Sequence, residues 1–301
     1  VNPQRQIFHC FGCGAGGDVF GFVMQYEKVD FSTATRLLAQ RAGIRLELEE
    51  DGGEHDAKTL LYEIHKELAL FYQRCLLQMK SAEVARDYLK ERDLPKEIVE
   101  EFLIGYAPAM WDSAIKWARQ KKYPLEQLEK AGLILKSTKP EAQSRYYDRF
   151  RNRVMFPIRD EQGRVIAFSG RAIDDKDKTA AKYVNSPETP LFHKGRVLYA
   201  LDKARRNIAD AGEAIICEGQ IDVIRCHQAG FKNAVASQGT AFTADHTRIL
   251  KRYADSMILV FDPDTAGQDA AIRTASIFME AELAVRVATL PKGQDPDSFI
   301  R

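Results

Sequence analysis

Four short apolar runs in the last third of the chain alternate with stretches of helical length. The runs occupy residues 214–217, 234–236, 257–261 and 284–288. Single helices are predicted between them, and Thr243 or Asp245 would cap the second of these helices. Strands that are joined by single helices form a parallel sheet with helices on both faces. We therefore predict an α/β fold for this part of the chain.

Acidic residues follow the ends of three of the predicted strands. They are Glu218 after the first strand, Asp262 and Asp264 after the third, and Asp295 and Asp297 just past the fourth. Ligands of an open parallel sheet bind beyond the carboxyl ends of its strands. Asp222 follows Glu218 by four residues, so on a helix it would lie one turn away on the same face. We expect all six carboxylates to gather at one edge of the sheet.

A cluster of like charges is unfavourable unless a cation neutralises it. Oxygen ligands favour Mg²⁺ or Mn²⁺, and Mg²⁺ in proteins commonly binds one or two carboxylates together with phosphate oxygens. The cluster therefore predicts metal-dependent phosphoryl or nucleotidyl transfer. For Asp264 a second interpretation stays open, because an aspartate after a strand is often only the N-cap of the next helix.

Two segments around these acids resemble the Toprim module, which is shared by bacterial primases, type IA and type II topoisomerases and some nucleases. They are residues 218–222 (EGQID) and residues 261–267 (FDPDTAG). The resemblance implies that Glu218, Asp262 and Asp264 hold the divalent metal, or that Glu218 instead acts as the base for the primer hydroxyl. Asp222, Asp295 and Asp297 would then lie outside the ligand shell of this metal or bind a second metal ion. Gln220 and Pro263 depart from the usual primase form, which has an aromatic and a glycine there.

Four segments upstream of this module resemble the polymerase domain of bacterial replicative primases. They are residues 147–158 (YDRFRNRVMFPI), 168–171 (FSGR), 182–189 (KYVNSPET) and 192–195 (FHKG). The resemblance covers most of residues 57–301, and Ser169 stands where a glycine is more usual. It implies a DNA-directed RNA polymerase that makes short primers from ribonucleoside triphosphates on single-stranded DNA. The family also carries a helicase-binding domain, which we expect to lie outside this chain.

The middle of the chain is basic and predicts a track for the DNA template. Residues 145–206 contain fifteen Lys and Arg against eight Asp and Glu. Arg149, Arg151 and Arg153 alternate, so on an extended chain all three would project to one side. Cations along a nucleic-acid backbone with interleaved aromatics are typical of sequence-tolerant single-strand binding. Further candidates for this track are Arg171, Lys182, Lys194 and, for base stacking, Tyr183. As an alternative to a template track, these cations would simply form the solvent-exposed face of a strand, with no nucleic-acid partner.

Residues 10–18 (CFGCGAGGD) resemble the second half of the primase zinc-binding domain. Cys10 and Cys13 form a Cys-x-x-Cys pair on a predicted β-hairpin whose glycines let two thiolates converge. In the family the other cysteine and a histidine ligand come about twenty residues earlier, so the resemblance implies Zn²⁺ in the full-length protein and half a site here. His9 adjoins Cys10 and could in principle replace a missing ligand. Neighbouring residues on a strand point in opposite directions, however, which argues against this role.

The chain therefore divides into four predicted segments. Residues 1–48 form part of a zinc-ribbon domain, residues 49–56 a linker, residues 57–206 an α+β subdomain that carries the basic track, and residues 207–301 the Toprim-type parallel sheet flanked by helices.

Composition narrows the function classes further. No run of about eighteen apolar residues occurs, which argues against a membrane-spanning helix. The five cysteines, an odd number, argue against a disulfide framework and favour the cytoplasm. Two alternatives to a primase stay open: a Toprim nuclease or topoisomerase, and a non-catalytic module that binds single-stranded DNA.

Overall fold

The computed structural model describes residues 1–29, 31–44, 52–137, 145–173, 181–291 and 293–301. The chain forms two compact units, Val1–Glu54 and His55–Arg301. Of the predicted linker 49–56, residues 49–51 lie outside the described residues, whereas the backbone of residues 52–56 is helical. The other predicted domain boundaries stay predictions.

The first unit contains a short hairpin and two helices. Its elements are β1 (Phe8–His9), β2 (Gly16–Gly17), α1 (Val19–Glu27) and α2 (Phe31–Ala42). Strands β1 and β2 pair antiparallel, as the glycine-rich sequence predicted. The Asp18 carboxylate caps α1 by accepting a hydrogen bond from the Gly21 amide at 2.7 Å.

The second unit begins with helices that pack against small strands. Its first elements are α3 (Gly52–Gln78), α4 (Glu83–Glu91), α5 (Lys96–Glu101), β3 (Gly105–Ala107), α6 (Ser113–Lys121), α7 (Leu125–Lys130), β4 (Ile134–Lys136) and β5 (Tyr146–Asp148). Ile64, Leu68 and Tyr72 recur at helical spacing on α3 and are buried. A Cβ atom on Gly105 would lie 2.6 Å from the Tyr72 Cβ, so only glycine lets β3 approach α3 this closely.

An antiparallel sheet forms the centre of this unit. Strands β6 (Arg153–Arg159), β7 (Val165–Ala172) and β8 (Tyr183–Asn185) join β3 in the order β3-β6-β7-β8. The β6–β7 hairpin confirms the one predicted from the sequence. Almost every residue of these two strands is buried, because other elements cover both faces of the sheet.

The last third of the chain folds as the predicted α/β layer. Its elements are α8 (Leu201–Ala211), β9 (Glu213–Cys217), α9 (Gln220–Gln228), β10 (Ala234–Ala236), α10 (Ala244–Leu250), β11 (Ser256–Val260), α11 (Thr265–Glu280), β12 (Ala284–Val287) and α12 (Pro296–Ile300). The four strands pair in parallel in the order β10-β9-β11-β12. The predicted fold class is thereby confirmed.

The antiparallel and parallel sheets are joined within the second unit. The Tyr199 amide donates a hydrogen bond of 2.8 Å to the Ala236 carbonyl, next to the carboxyl end of β10. The Asn185 amide group donates to the Gln238 carbonyl at 3.2 Å. These contacts place the end of β8 beside the edge of the parallel sheet where the acidic residues lie. No helix in the described ranges is both long and apolar enough to cross a bilayer.

Candidate active site

Two acids from adjacent parallel strands meet at the carboxyl edge of the sheet. Glu218 follows β9 and Asp262 follows β11, and the last residues of these strands, Cys217 and Val260, are paired. The Glu218 Oε1 atom accepts a hydrogen bond of 2.8 Å from the Asp262 backbone amide. Burial, followed by the charges of Asp262 and Asp264, raises the pKa of Glu218. Burial and the charges of Asp295 and Asp264 likewise raise the pKa of Asp262.

Asp264 and Asp295 both cap helices. Asp264 Oδ1 accepts from the Gly267 amide at 2.7 Å at the start of α11. Asp295 Oδ1 accepts from the Ser298 amide at 2.7 Å at the start of α12. Each carboxylate thus uses one oxygen to satisfy a helix N-terminus. The N-cap interpretation of Asp264 is therefore observed, and its predicted metal role stays a prediction.

Asp222 occupies a different position from the expected one. Helix α9 begins only at Gln220, so Asp222 is its third residue and Glu218 precedes the helix. The expectation that these two acids lie one turn apart on a helix is therefore wrong. Asp222 Oδ2 instead accepts from the Gly219 amide at 3.1 Å. Burial, then the charges of Asp262 and Asp295, raises the pKa of Asp222 to about 7.

Asp297 lies in a buried ion-pair cluster. Its carboxylate accepts from the Arg225 Nε atom at 2.8 Å and from the Arg92 Nη1 atom at 2.6 Å. The side chains of Asp297 and Arg225 are 1% and 5% exposed. Both oxygens therefore already have cationic partners, and Asp297 in α12 connects α9 with the residue that follows α4. The structure does not bring it together with the other acids in the pocket described next.

A pocket of about 280 Å³ joins the acids to the antiparallel sheet. Its acidic wall is formed by Glu218, Asp222, Asp262 and Asp295. The other wall carries cations and polar groups, which are Arg92, Ser169, Arg171, Lys182, Tyr183 and Asn185. Strand register explains this second wall, because Arg171 pairs with Tyr183 and Ser169 pairs with Asn185 across β7 and β8. Residues at these positions share one face of the sheet.

The acidic wall suits a divalent cation by its chemistry. Three of its four carboxylates, those of Glu218, Asp222 and Asp262, have raised pKa values because they are buried near one another. A bound cation would relieve this repulsion. Among the described residues no group of three carboxylate, thiol or imidazole side chains is close enough to enclose an ion. This open arrangement fits Mg²⁺, which needs only one or two carboxylates when phosphate oxygens complete its shell.

The three arginines of the predicted track do not lie on one extended strand. Strand β5 ends at Asp148 and β6 begins at Arg153, and Asn152 between them has a φ of 50°, in the left-handed region. The expectation that these arginines project to one side is therefore wrong. Arg149 donates through Nη2 to the Asn185 carbonyl at 2.9 Å. Arg153 is buried and donates to the Gly170 carbonyl at 3.1 Å.

Arg151 instead belongs to an aromatic cluster that the sequence reasoning missed. Its guanidinium carbon lies 4.0 Å from the ring centroid of Trp111 and 5.5 Å from that of Tyr147. Trp111 is 63% exposed. An exposed aromatic ring beside a stacked guanidinium is the kind of surface on which nucleobases stack in proteins that bind single strands, so this cluster is a candidate contact for the template. In the sequence, Trp111 stands just ahead of α6 and belongs to no periodic pattern of apolar residues. Nothing in the pattern therefore indicated that this tryptophan is exposed.

The remaining predicted residues of the track differ in position. Lys182 is exposed and its charge lowers the pKa of Asp262, against the larger effect of burial. Tyr183 is partly buried, and burial raises the pKa of its hydroxyl. Lys194 lies in a short 3₁₀ turn (Lys194–Arg196) and does not line the pocket.

In the first unit, Cys10 and Cys13 lie together at the hairpin and are exposed. The Cys10 amide donates to the Ala15 carbonyl at 2.7 Å, and the Gly14 amide donates to the Cys10 carbonyl at 2.9 Å. Hydrogen bonds from the Cys13 and Gly12 amides lower the pKa of Cys10, which favours the thiolate that zinc binds. In the described part of the chain no third ligand completes this pair, so the residues fit half of a tetrahedral zinc site. The ring of His9 instead contacts that of Phe11, with centroids 5.0 Å apart.

Comparison with protein families gives three consecutive matches. Residues 1–54 match a family described as CHC2 zinc finger, residues 71–205 one described as DNA primase catalytic core, N-terminal domain, and residues 215–300 one described as Toprim-like. The middle match is specific to primases, whereas a Toprim-like segment alone would not separate a primase from a topoisomerase.

Individual proteins give the same result. The chain is 43% identical over 307 residues to a DNA primase of Geobacillus stearothermophilus and 46% identical over 297 residues to one of Deinococcus radiodurans. It spans about half the length of these relatives, 50% of each. The structure of the zinc-binding and RNA polymerase domains of the Aquifex aeolicus primase matches with a TM-score of 0.73 at 34% identity, over 100% of this chain and 71% of that one. A primase catalytic domain bound to single-stranded DNA matches with a TM-score of 0.72 at 40% identity, over 82% of this chain and 76% of that one.

Proposed function

The chain belongs to the family of bacterial DNA primases, and on this premise we propose that it polymerises ribonucleotides into short RNA primers on single-stranded DNA. The observation that carries the proposal is the pocket in which strand-end acids face Arg171 and Lys182. Nucleotidyl transfer needs both kinds of group, because a triphosphate is anionic and the metal that neutralises it is held by carboxylates.

Glu218, Asp262 and Asp264 would supply carboxylates to Mg²⁺ or Mn²⁺, with no more than two of them on one ion. Glu218 and Asp262 line the pocket together with Asp222 and Asp295, whereas Asp264 does not line it. When bound, the divalent metal supplies charge neutralisation at the α-phosphate and at the departing pyrophosphate. The protein contributes fixed geometry. The hydrogen bond from the Asp262 amide holds the Glu218 carboxylate against the start of α11, and the Gly267 amide holds Asp264.

The opposite wall would bind the triphosphate and the aromatic cluster would bind the template. Lys182 presents an exposed ammonium to the pocket, where it attracts phosphate oxygens. Trp111 and Arg151 offer a stacking surface and a charge outside the pocket. One solved relative is bound to single-stranded DNA, which supports a DNA template for this chain as well. For the whole protein we further propose a complete zinc site and contact with the replicative helicase. The whole protein would act in the cytoplasm at the replication fork.

The proposal is tested by incorporation of a labelled ribonucleotide on single-stranded DNA, with Mg²⁺ or Mn²⁺ and with a chelator. We expect product only with template and divalent metal. Asp262→Asn removes one carboxylate charge and should reduce the rate on the order of 10²–10³-fold. The matched control is Asp269→Asn, an exposed position in α11 that does not line the pocket. Metal-independent incorporation, or equal rates for the two variants, would contradict the proposal.

A further inference from the structure

Two polar atoms in the wall opposite the acids have no hydrogen-bond partner among the described residues, although both are buried. They are the hydroxyl of Ser169 and the side-chain oxygen of Asn185. Ser169 is 0% exposed, and both residues line the pocket. A buried polar atom without a partner is destabilising, because it has lost its hydrogen bonds to water and gained none in the fold. Such atoms in a pocket wall indicate a ligand that supplies the missing hydrogen bonds.

The position of this pair is fixed by the surrounding backbone. Ser169 on β7 and Asn185 on β8 are direct cross-strand partners, so their side chains share the face that lines the pocket. Asn185 Nδ2 donates to the Gln238 carbonyl at 3.2 Å, and a Cβ atom on Gly239 would lie 2.7 Å from that nitrogen. Because the amide nitrogen is engaged there, the Asn185 oxygen is directed elsewhere. Arg149 holds the Asn185 backbone carbonyl through Nε and Nη2 at 3.2 and 2.9 Å.

The chemistry of these atoms restricts the ligand group. The Asn185 oxygen can only accept, so its partner must be a donor, and an ionised phosphate has none. The Ser169 hydroxyl both donates and accepts. Sugar hydroxyls meet both requirements, and two adjacent hydroxyls would satisfy two adjacent side chains. In the proposed function the phosphates are bound by the acids through metal and by Lys182, which leaves the sugar for this part of the wall.

We infer that Ser169 and Asn185 bind the 2′- and 3′-hydroxyls of the incoming nucleotide and thereby select ribonucleotides over deoxyribonucleotides. This inference rests on the proposed function, to which it adds the residues that recognise the sugar of the nucleotide. A site that is built to hydrogen-bond a hydroxyl rejects the analogue that lacks it, because its own polar atoms are then left unpaired.

The experiment compares ATP with 2′-deoxy-ATP for the unaltered protein and for Ser169→Ala and Asn185→Ala. We expect kcat/KM for ATP to fall on the order of tenfold in each variant, which corresponds to one lost hydrogen bond. For 2′-deoxy-ATP, kcat/KM should change little in the variant that loses the contact to the 2′-hydroxyl. It should fall by a similar factor in the variant that loses the contact to the 3′-hydroxyl, because 2′-deoxy-ATP keeps that hydroxyl. The control is Ser276→Ala, which removes an exposed hydroxyl that donates within α11 and lies outside the pocket. The free energy of unfolding of Ser169→Ala should match or exceed that of the unaltered protein, because the deleted hydroxyl has no partner in the fold.

A ratio of kcat/KM values for ATP and 2′-deoxy-ATP that stays unchanged in both variants would overturn the inference. A change in preference among the four bases with no change between the sugars would overturn it as well, because the pair would then contact the base. If the unaltered protein incorporates neither nucleotide, the proposed function fails. Calorimetric titration of ATP and 2′-deoxy-ATP with Mg²⁺ then decides the inference separately. A preference for ATP that one of the two variants loses would support it, and a preference that both variants keep would overturn it.

Discussion

Glu218 Oε1 and the backbone amide of Asp262 are joined by a hydrogen bond of 2.8 Å, which connects the ends of two adjacent parallel strands. Gly267 makes this contact possible. A Cβ atom at that position would overlap the backbone oxygen of Asp262 and lie 2.7 Å from Glu218 Oε1. The first turn of α11 can therefore approach the two acids only because residue 267 has no side chain.

Gly267→Ala is expected to displace Glu218 and to reduce nucleotide incorporation by at least tenfold. The steric cost to folding should be on the order of 1–3 kcal/mol, as for other insertions into packed sites. Ala266→Ser is the matched control, since it also adds one heavy atom but at an exposed neighbouring position. Rates and unfolding free energies should be measured for both. A fully active Gly267→Ala protein would show that the position of Glu218 does not matter.

Asp297 is predicted to stabilise the fold rather than to bind metal. Asp297→Ala leaves the buried Arg225 guanidinium without its carboxylate partner, although the Gln228 side chain and backbone carbonyls still accept from it, so we expect a loss of about 3 kcal/mol in the free energy of unfolding. Asp269→Ala, at an exposed site in α11, should change stability by no more than about 0.5 kcal/mol. Chemical unfolding measures both variants. Unchanged stability combined with weaker divalent-metal binding in Asp297→Ala would return this residue to the metal site.

The sequence pattern predicted the parallel sheet because its buried strands are short apolar runs between helices, and Glu218 and Asp262 could be placed at one edge for the same reason. It could not predict the partner of Asp297, since Arg225 is 72 residues away in the chain. It also failed where one residue changes the chain direction, as Asn152 does between Arg151 and Arg153. Alternation indicates a common face only where the backbone stays extended.

The aromatic cluster should dominate binding of single-stranded DNA. Trp111→Ala should weaken binding by about 1–3 kcal/mol with little change in salt dependence, because stacking involves no counterion release. Arg151→Ala should lower the slope of log K against log salt concentration by about 0.7, the value for one lost phosphate contact on a single strand. The control is Arg74→Ala, an exposed arginine on α3. Fluorescence anisotropy over a salt series tests this, and identical curves for all proteins would exclude the cluster from the template path.

His65 makes the second unit sensitive to acid. It is fully buried, its Nδ1 atom donates to the Leu61 carbonyl over 2.8 Å, and burial lowers its pKa from 6.5 to about 4. The folded state disfavours the charged ring. The free energy of unfolding therefore keeps its full value above pH 6.5 and decreases as the pH falls from 6.5 towards 4. Between pH 7.5 and 5 this group alone should cost about 2 kcal/mol.

Urea unfolding of the unaltered protein and of His65→Leu at these two pH values isolates the effect, because every other titrating group is common to both proteins. The variant should lose about 2 kcal/mol less than the unaltered protein on acidification. Equal losses of unfolding free energy in the two proteins would contradict the prediction. They would mean that water reaches the charged His65 ring in the folded state, so that folding does not change its pKa.

We propose that the acids at the sheet edge serve the chemistry while template binding lies elsewhere in the second unit. Glu218→Gln keeps the size of the side chain and an acceptor for the Asp262 amide but removes one charge. The most direct test measures ribonucleotide incorporation and DNA anisotropy on the same preparation of Glu218→Gln. We predict that incorporation falls on the order of 10²–10³-fold or more, while DNA affinity in metal-free buffer is unchanged or slightly higher. Near-normal incorporation, or a parallel loss of both readouts with the circular dichroism spectrum intact, would contradict this assignment.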